Sequence, residues 1–175
     1  PSAEVGRWAA DRYRLDADRV VVAPPPVPEV HRRRWAPSPD PSFAFYGRLA
    51  EQKGVHDLVQ ALPPVLDSHP SLVVTVIGPD GWSLRENRPM SEVVTDLIPQ
   101  RHRHRIELVG AMSREGALDR LASAWAVVVP SRFETFCLAA HEVRRAGIPV
   151  IAPELPAFER YRIGAGFLLY DGSIS

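Results

Sequence analysis

Two pairs of charged residues stand at spacings that could do chemistry. Glu134 and Glu142 lie eight positions apart in "PSRFETFCLAAHE" (130–142), with the only cysteine, Cys137, and His141 between them. Arg48 and Lys53 lie five apart in "GRLAEQKG" (47–54). Cys137 and His141 at i, i+4 of a helix could meet. A thiolate nucleophile also needs an exposed cysteine of lowered pKa and an orienting third group. The sequence supplies neither, so a core cysteine is expected. A helix beginning near Glu134 would place Thr135, Phe136 and Cys137 in its first turn. The N–H groups there, with the helix dipole, make an anion site that needs no side chain. Glu142 would then stand in the third turn, about 12 Å further along. A hydrolytic carboxylate pair needs roughly 5–9.5 Å. The spacing suits two carboxylates gripping opposite ends of an elongated ligand, with an anion held between them. Carboxylates accept hydrogen bonds from hydroxyls, so a sugar and a ribose are natural partners. Arg48 and Lys53 follow Gly47 at a strand-to-helix crossover. Arg can grip two phosphate oxygens and Lys acts as a mobile point charge. On spacing alone, two solvated surface cations beside Glu51 is an open alternative.

The elements that must position these residues alternate. Residues 3–14 carry Val5, Trp8, Ala9 and Tyr13 at helical spacing, and "RVVVAP" (19–24) reads as a short strand. The proline-rich stretch 24–41 can hold neither helix nor central strand, and reads as an extended linker. Its "HRRRW" could touch a phosphate or a lipid head group, or be a solvated basic stretch. From residue 42 the pattern is regular. Strands are expected over 42–47, 71–78, 105–110, 126–131, 149–152 and 166–170. Helices are expected over 55–67, 91–99, 134–146 and near 156–161, with one more capped by Ser113. In the first of these, Leu58, Ala61, Leu62, Val65 and Leu66 form the apolar face, and Pro63 and Pro64 should kink or shorten it. Strands that are apolar throughout and alternate with helices mean an α/β fold, a Rossmann-like parallel sheet covered on both faces. Ligands in such sheets bind outside the carboxyl ends of the strands. Here those ends are the Gly47, Gly78, Gly110 and Pro130–Ser131 loops, and the charged pairs fall on them.

Composition excludes several classes. The 175 residues carry 21 basic and 21 acidic side chains, so no net field favours nucleic acid or an anionic membrane. One cysteine excludes a disulfide framework and fits a reducing, cytoplasmic compartment. No apolar run approaches the roughly 18 residues of a membrane helix, although peripheral membrane contact stays open. "VIGPDG" (76–81), with Gly78 at its turn, lacks the G-x-G-x-x-G spacing of a dinucleotide site, and no Walker A motif occurs. "RHRHR" (101–105) precedes a strand, at the sheet edge opposite the ligand, and is expected to be a solvated loop. His56 and His69 have no metal-ligand spacing. The absence of an initiator Met and the stop after "FLLYDGSIS" suggest an excised domain.

"YGRLAEQKG", "VVTVIGPDG", "IELVG", "VVVPSRFETFCLAAHE" and "RRAGIPVIAPELPAFE" together, in this order, resemble the C-terminal domain of retaining family 4 glycosyltransferases (group 1) of the GT-B fold. The resemblance covers about 42–172. It implies that 42–175 is a nucleotide-sugar donor domain, truncated at its C-terminus. Residues 1–23 would be the tail of an otherwise missing N-terminal acceptor domain, and 24–41 the linker. It implies transfer of a sugar from a UDP-, GDP- or ADP-linked donor, with no cofactor or metal required. Arg48 and Lys53 would hold the donor diphosphate and stabilise the leaving group. Glu134 would contact the transferred sugar, and Glu142 the ribose. The amides of Phe136, Cys137 and Leu138 would meet phosphate, and the loop around Met112 the base. The sequence departs from the family pattern at Thr135 and Cys137, where glycines are common, and at Trp125, where an Asp is common. A GT-B-like sugar-nucleotide epimerase and a non-catalytic nucleotide-sugar binding module remain alternatives, and the isolated domain is expected to be inactive.

Overall fold

The order of the strands follows from where their apolar runs are buried. In a computed structural model, which describes residues 3–158 and 166–171, six strands form one parallel sheet. They are β1 (Ser42–Tyr46), β2 (Val73–Ile77), β5 (Ile106–Gly110), β6 (Ala126–Val128), β7 (Val150–Pro153) and β8 (Phe167–Tyr170), in the spatial order β5-β2-β1-β6-β7-β8. Helices α2 (Val55–Ser68) and α3 (Met90–Leu97) cover one face, and α4 (Arg114–Leu121) and α5 (Leu138–Ala146) the other. The pleat sends alternate residues to the two faces. Phe45, Val74 and Val76 pack with α2 and α3, while Ala44 and Ile77 pack with α4 and α5. Chain order reverses between β1 and β6, so the crevice at their carboxyl ends is the topological switch point.

Several elements differ from expectation. Residues 20–24 form no strand, because Val21 is exposed and pairs with nothing in the sheet. Helix α2 runs unbroken through Pro63 and Pro64. Its buried stripe is Val55, Val59, Leu62 and Leu66, rotated from the expected face, and Val65 is exposed. "RHRHR" is no solvated loop but a 3-10 turn over Gln100–Arg105. His102 is buried, and Arg105 donates to the carbonyls of Leu66, His69 and Pro70 at the end of α2. A hairpin of β3 (Trp82–Ser83) and β4 (Arg88–Pro89) was not expected. The expected helix at 156–161 falls partly outside the described residues, and 156–158 form a turn.

The proline-rich stretch is irregular, as its composition requires, but its last part is strapped to the body. Arg33 N–H donates to the Ala146 carbonyl at 2.8 Å, Ala36 N–H to Ala122 at 3.1 Å and Ser38 N–H to Ser123 at 2.9 Å. The Trp35 indole donates to the Ala124 carbonyl at 2.9 Å. The Arg33 guanidinium bridges Glu115 and Asp119 on α4. The basic cluster "HRRRW" therefore spends Arg33 and Trp35 on tying the chain to α4 and α5.

Candidate functional site

Backbone approaches too close for any side chain build the switch point. A Cβ on Gly78 would lie 1.8 Å from the Gly47 carbonyl oxygen, and one on Gly81 would lie 2.1 Å from that of Leu49. Gly54, at φ +68°, would place its Cβ 1.9 Å from the Pro130 carbonyl oxygen. Only glycine fits such contacts. Three loops, those after β1, β2 and β6, therefore lie against one another at one edge of the sheet.

Polar contacts lock the loops after β1 and β6 together. Arg132 N–H donates to the Gln52 carbonyl at 3.0 Å. Its guanidinium forks onto both Asp57 carboxylate oxygens at 2.6 Å. The Lys53 ammonium pairs with the Glu134 carboxylate, which also accepts from the Ser131 hydroxyl at 2.9 Å. Glu134 is buried, and this pairing with Lys53 and Ser131 is what makes burying its charge tolerable. Predicted residues from two distant stretches thus meet. Arg48, just past the end of β1, is exposed, and its side chain makes no hydrogen bond or ion pair with the described residues. A cation held at the edge without a partner suits an anionic ligand.

The helix expected from Glu134 begins later. Helix α5 starts at Leu138, and Cys137 is its N-cap at φ 60°, ψ 75°, in the left-handed region. Glu134–Cys137 form an elbow rather than a first turn. The reason is the buried cluster there. Phe136 stacks on His141, with ring centroids 4.1 Å apart and planes 14° apart, and Cys137 packs into the core between the sheet and α5. Of the amides assigned to an anion site, only that of Leu138 heads the helix, followed by Ala139; those of Phe136 and Cys137 precede it. The 12 Å ruler along one helix therefore does not apply, because Glu134 is not on the helix. His141 is part of the packing that shapes the elbow. Burial pushes the Cys137 thiol up to about 12, with the nearby Glu134 carboxylate acting in the same direction. That thiol is protonated at neutral pH and is no nucleophile.

Glu142 lies on the buried side of α5. It accepts from the Tyr46 hydroxyl at 3.3 Å, and Arg114 Nη1 stands 4.0 Å from its other oxygen. Burial raises the Glu142 pKa, while the Tyr46 hydrogen bond and the Arg114 charge oppose the rise. Burial, followed by the Glu142 charge, pushes the Tyr46 phenol up to about 12. Met112 is exposed on the loop between β5 and α4, which Ser113 caps by accepting from Gly116 N–H at 3.1 Å. Sequence reasoning placed the Pro130–Ser131 loop at the ligand edge but assigned no contact to Tyr46, Arg114, Ser131 or Arg132. A positional signal existed for two of them: Tyr46 is the last residue of β1, and Ser131 follows the apolar run of β6, both at the ligand edge.

Comparison with known proteins gives the family. The family model described as glycosyl transferases group 1 matches residues 28–164. Among curated relatives, a glycogen synthase of Mycobacterium tuberculosis is 32% identical over 118 residues, covering 63% of this chain and 25% of the relative. A D-inositol 3-phosphate glycosyltransferase of Acidothermus cellulolyticus is 28% identical over 182 positions, covering 95% of this chain and 40% of the relative. The chain thus spans between a quarter and two fifths of these relatives' length. Among solved structures, a sucrose-phosphate synthase from Thermosynechococcus elongatus superposes with a TM-score of 0.60 at 26% identity, covering 77% of this chain and 33% of that one. A pneumococcal O-GlcNAc transferase, solved with UDP and GlcNAc, shares the fold with a TM-score of 0.68 at 20% identity, covering 94% of this chain and 31% of that one.

Proposed function

Since the chain belongs to the glycosyl transferases group 1 family, we propose that it holds the nucleoside diphosphate sugar of a retaining glycosyltransferase at the carboxyl edge of β1 and β6. The observation that carries this is the latch that puts Lys53 against Glu134 at the switch point, beside the N-terminus of α5 and with unpaired Arg48 at the rim. Arg48 and Lys53 hold the diphosphate together with the Leu138 and Ala139 amides. Loss of a nucleoside diphosphate develops negative charge, and preorganised cations and dipoles stabilise it where water is excluded. Glu134 contacts the sugar to be transferred, Glu142 the ribose, and the Met112 loop the base. The tight approach of Gly78 to the Gly47 carbonyl holds the loops after β1 and β2 together at the ligand edge. Phe136 and Cys137 act by shaping the elbow.

In this reading no protein nucleophile is needed. Glu134 is engaged by a lysine and a serine, and the one thiol is held protonated. Residues 42 onward form the donor domain, 24–41 the connection, and 1–23 the end of a preceding acceptor domain that completes the enzyme. Calorimetry of the chain with UDP, GDP and ADP tests the reading: one of the three binds. Glu142→Ala weakens that nucleotide, and Glu134→Ala spares it but weakens the sugar conjugate. No binding of any of the three at millimolar concentration by the folded chain overturns the proposal.

A further inference from the structure

Two side chains outside the proposed ligand contacts converge on Glu142. The Tyr46 hydroxyl comes from the end of β1 and donates to one carboxylate oxygen at 3.3 Å. Arg114, the first residue of α4, brings Nη1 to 4.0 Å from the other oxygen. That separation is an ion-pair contact but too long for a hydrogen bond, so lone pairs on that oxygen stay open. Arg114 Nε is buried and has no hydrogen-bond partner among the described residues. Arg114 is itself held from behind. Its Nε lies 3.6 Å from Glu115 Oε1, and the other Glu115 oxygen pairs with Arg33 of the strap. A line of alternating charges, Arg33, Glu115, Arg114 and Glu142, therefore runs from the strap to the site.

Resting on the donor-binding reading above, we infer that Tyr46 and Arg114 are positioning residues that fix the Glu142 carboxylate for recognition of the ribose hydroxyls. A carboxylate on a flexible side chain can rotate, and rotation spoils simultaneous acceptance from two vicinal hydroxyls. One anchor on each oxygen, Tyr46 from the end of β1 and Arg114 from the start of α4, removes that freedom. Tyr46 occupies one lone pair and Arg114 supplies charge without occupying the second oxygen. The arrangement leaves the acceptors a diol requires and opposes the loss of charge that burial favours. The consequence is specificity for ribonucleotides over nucleotides that lack the 2′ and 3′ hydroxyls.

The test uses calorimetry on the full chain with whichever of UDP, GDP and ADP binds, and with the 2′,3′-dideoxynucleoside diphosphate of the same base. The wild type prefers the ribonucleotide. Tyr46→Phe weakens the ribonucleotide about tenfold, the scale of one lost hydrogen bond to a charged group; Arg114→Met weakens it by up to about fivefold, the scale of a partly exposed ion pair; both leave the dideoxynucleotide within about twofold. Arg114→Lys recovers most of the preference, and Tyr46→Phe has no further effect in a Glu142→Gln background. Equal losses for both nucleotides, or an unchanged preference, overturn the inference while the donor site stands. If the wild type binds neither nucleotide, the donor-binding reading fails and this inference with it. Circular dichroism checks folding, and Tyr46→Phe, which keeps the ring and the packing, decides the matter if Arg114→Met does not fold.

Discussion

Gly54→Ala, set beside Gly110→Ala, measures the contact between the loops after β1 and β6. Both glycines have left-handed backbones, at φ +68° and +81°. An alanine there costs roughly 1–2 kcal/mol in sterics, offset by about 0.4–1 kcal/mol from a less flexible unfolded chain. The net cost at Gly110, where a Cβ meets nothing within 4 Å, is therefore about 1 kcal/mol. At Gly54 the new Cβ falls 1.9 Å from the Pro130 carbonyl oxygen, and the two loops must part by more than 1 Å before the contact is one that real Cβ atoms make. Such overpacking costs about 1–3 kcal/mol. The parting also strains the 3.0 Å bond from Arg132 N–H to Gln52, worth about 1 kcal/mol net. The total is about 3–5 kcal/mol. For a domain of this size each kcal/mol shifts Tm by roughly 2–4 °C. Thermal melts should show a loss near 10 °C for Gly54→Ala and about 3 °C for Gly110→Ala. Equal shifts, or a larger loss at Gly110, would refute the argument that the two loops are locked through this contact.

Other outcomes follow from the same geometry. Lys53→Met leaves the Glu134 carboxylate with Ser131 as its remaining partner and should cost about 2–3 kcal/mol in urea unfolding, below the 3–5 of a fully buried broken pair because Lys53 is partly exposed; a double variant with Glu134→Gln should recover most of it. Burial holds the Cys137 thiol at about 12, above its unfolded value, so its contribution to stability is complete below about pH 9 and is lost as pH rises toward 12. Alkylation by iodoacetamide at pH 8 should accordingly be slow in the native chain and fast in urea. Burial raises the Glu142 pKa, so the folded chain is favoured below the ordinary carboxylate pKa and loses that advantage as pH rises through the raised folded value. Glu142→Gln should therefore raise Tm at pH 7 and lose its advantage near pH 4. Arg33→Ala, which releases α4 from the strap, should speed protease cutting within 24–38, read as faster loss of the intact chain in limited proteolysis.

The strands and their edge were legible because burial on both faces writes itself as continuous apolar runs ending in Gly47, Gly78 and Gly110. Helix phase was less legible. In α2, Leu58 and Val65 satisfy the helical period as well as Val55 and Val59 do, and only packing against β1 and β2 chooses between the two stripes. The elbow at Glu134–Cys137 was hidden because Cys137 takes a left-handed backbone, which sequence reasoning reserves for Gly or Asn. The hairpin at Trp82–Pro89 is too short to show a period. Tyr46 and Arg114 were missed because their partner, Glu142, is 96 and 28 residues away by the sequence numbers. The pairing of Lys53 with Glu134 is also long-range, but it follows once two loops are known to share one edge.

The strap also bears on how this architecture can be cut and recombined. A boundary drawn at the first strand, Ser42, would discard the Trp35 and Arg33 ties and uncover the seat of Val30 on the core beside α4 and α5. The contacts with the sheet's helices reach upstream of β1 to Val30, within the stretch from residue 28 that the family match covers. A chimera that grafts a different leading half onto this sheet should keep residues 28–41 with the sheet. The last part of the proline-rich segment, which looks like the natural splice point, is bound beside α4 and α5 and travels with the sheet.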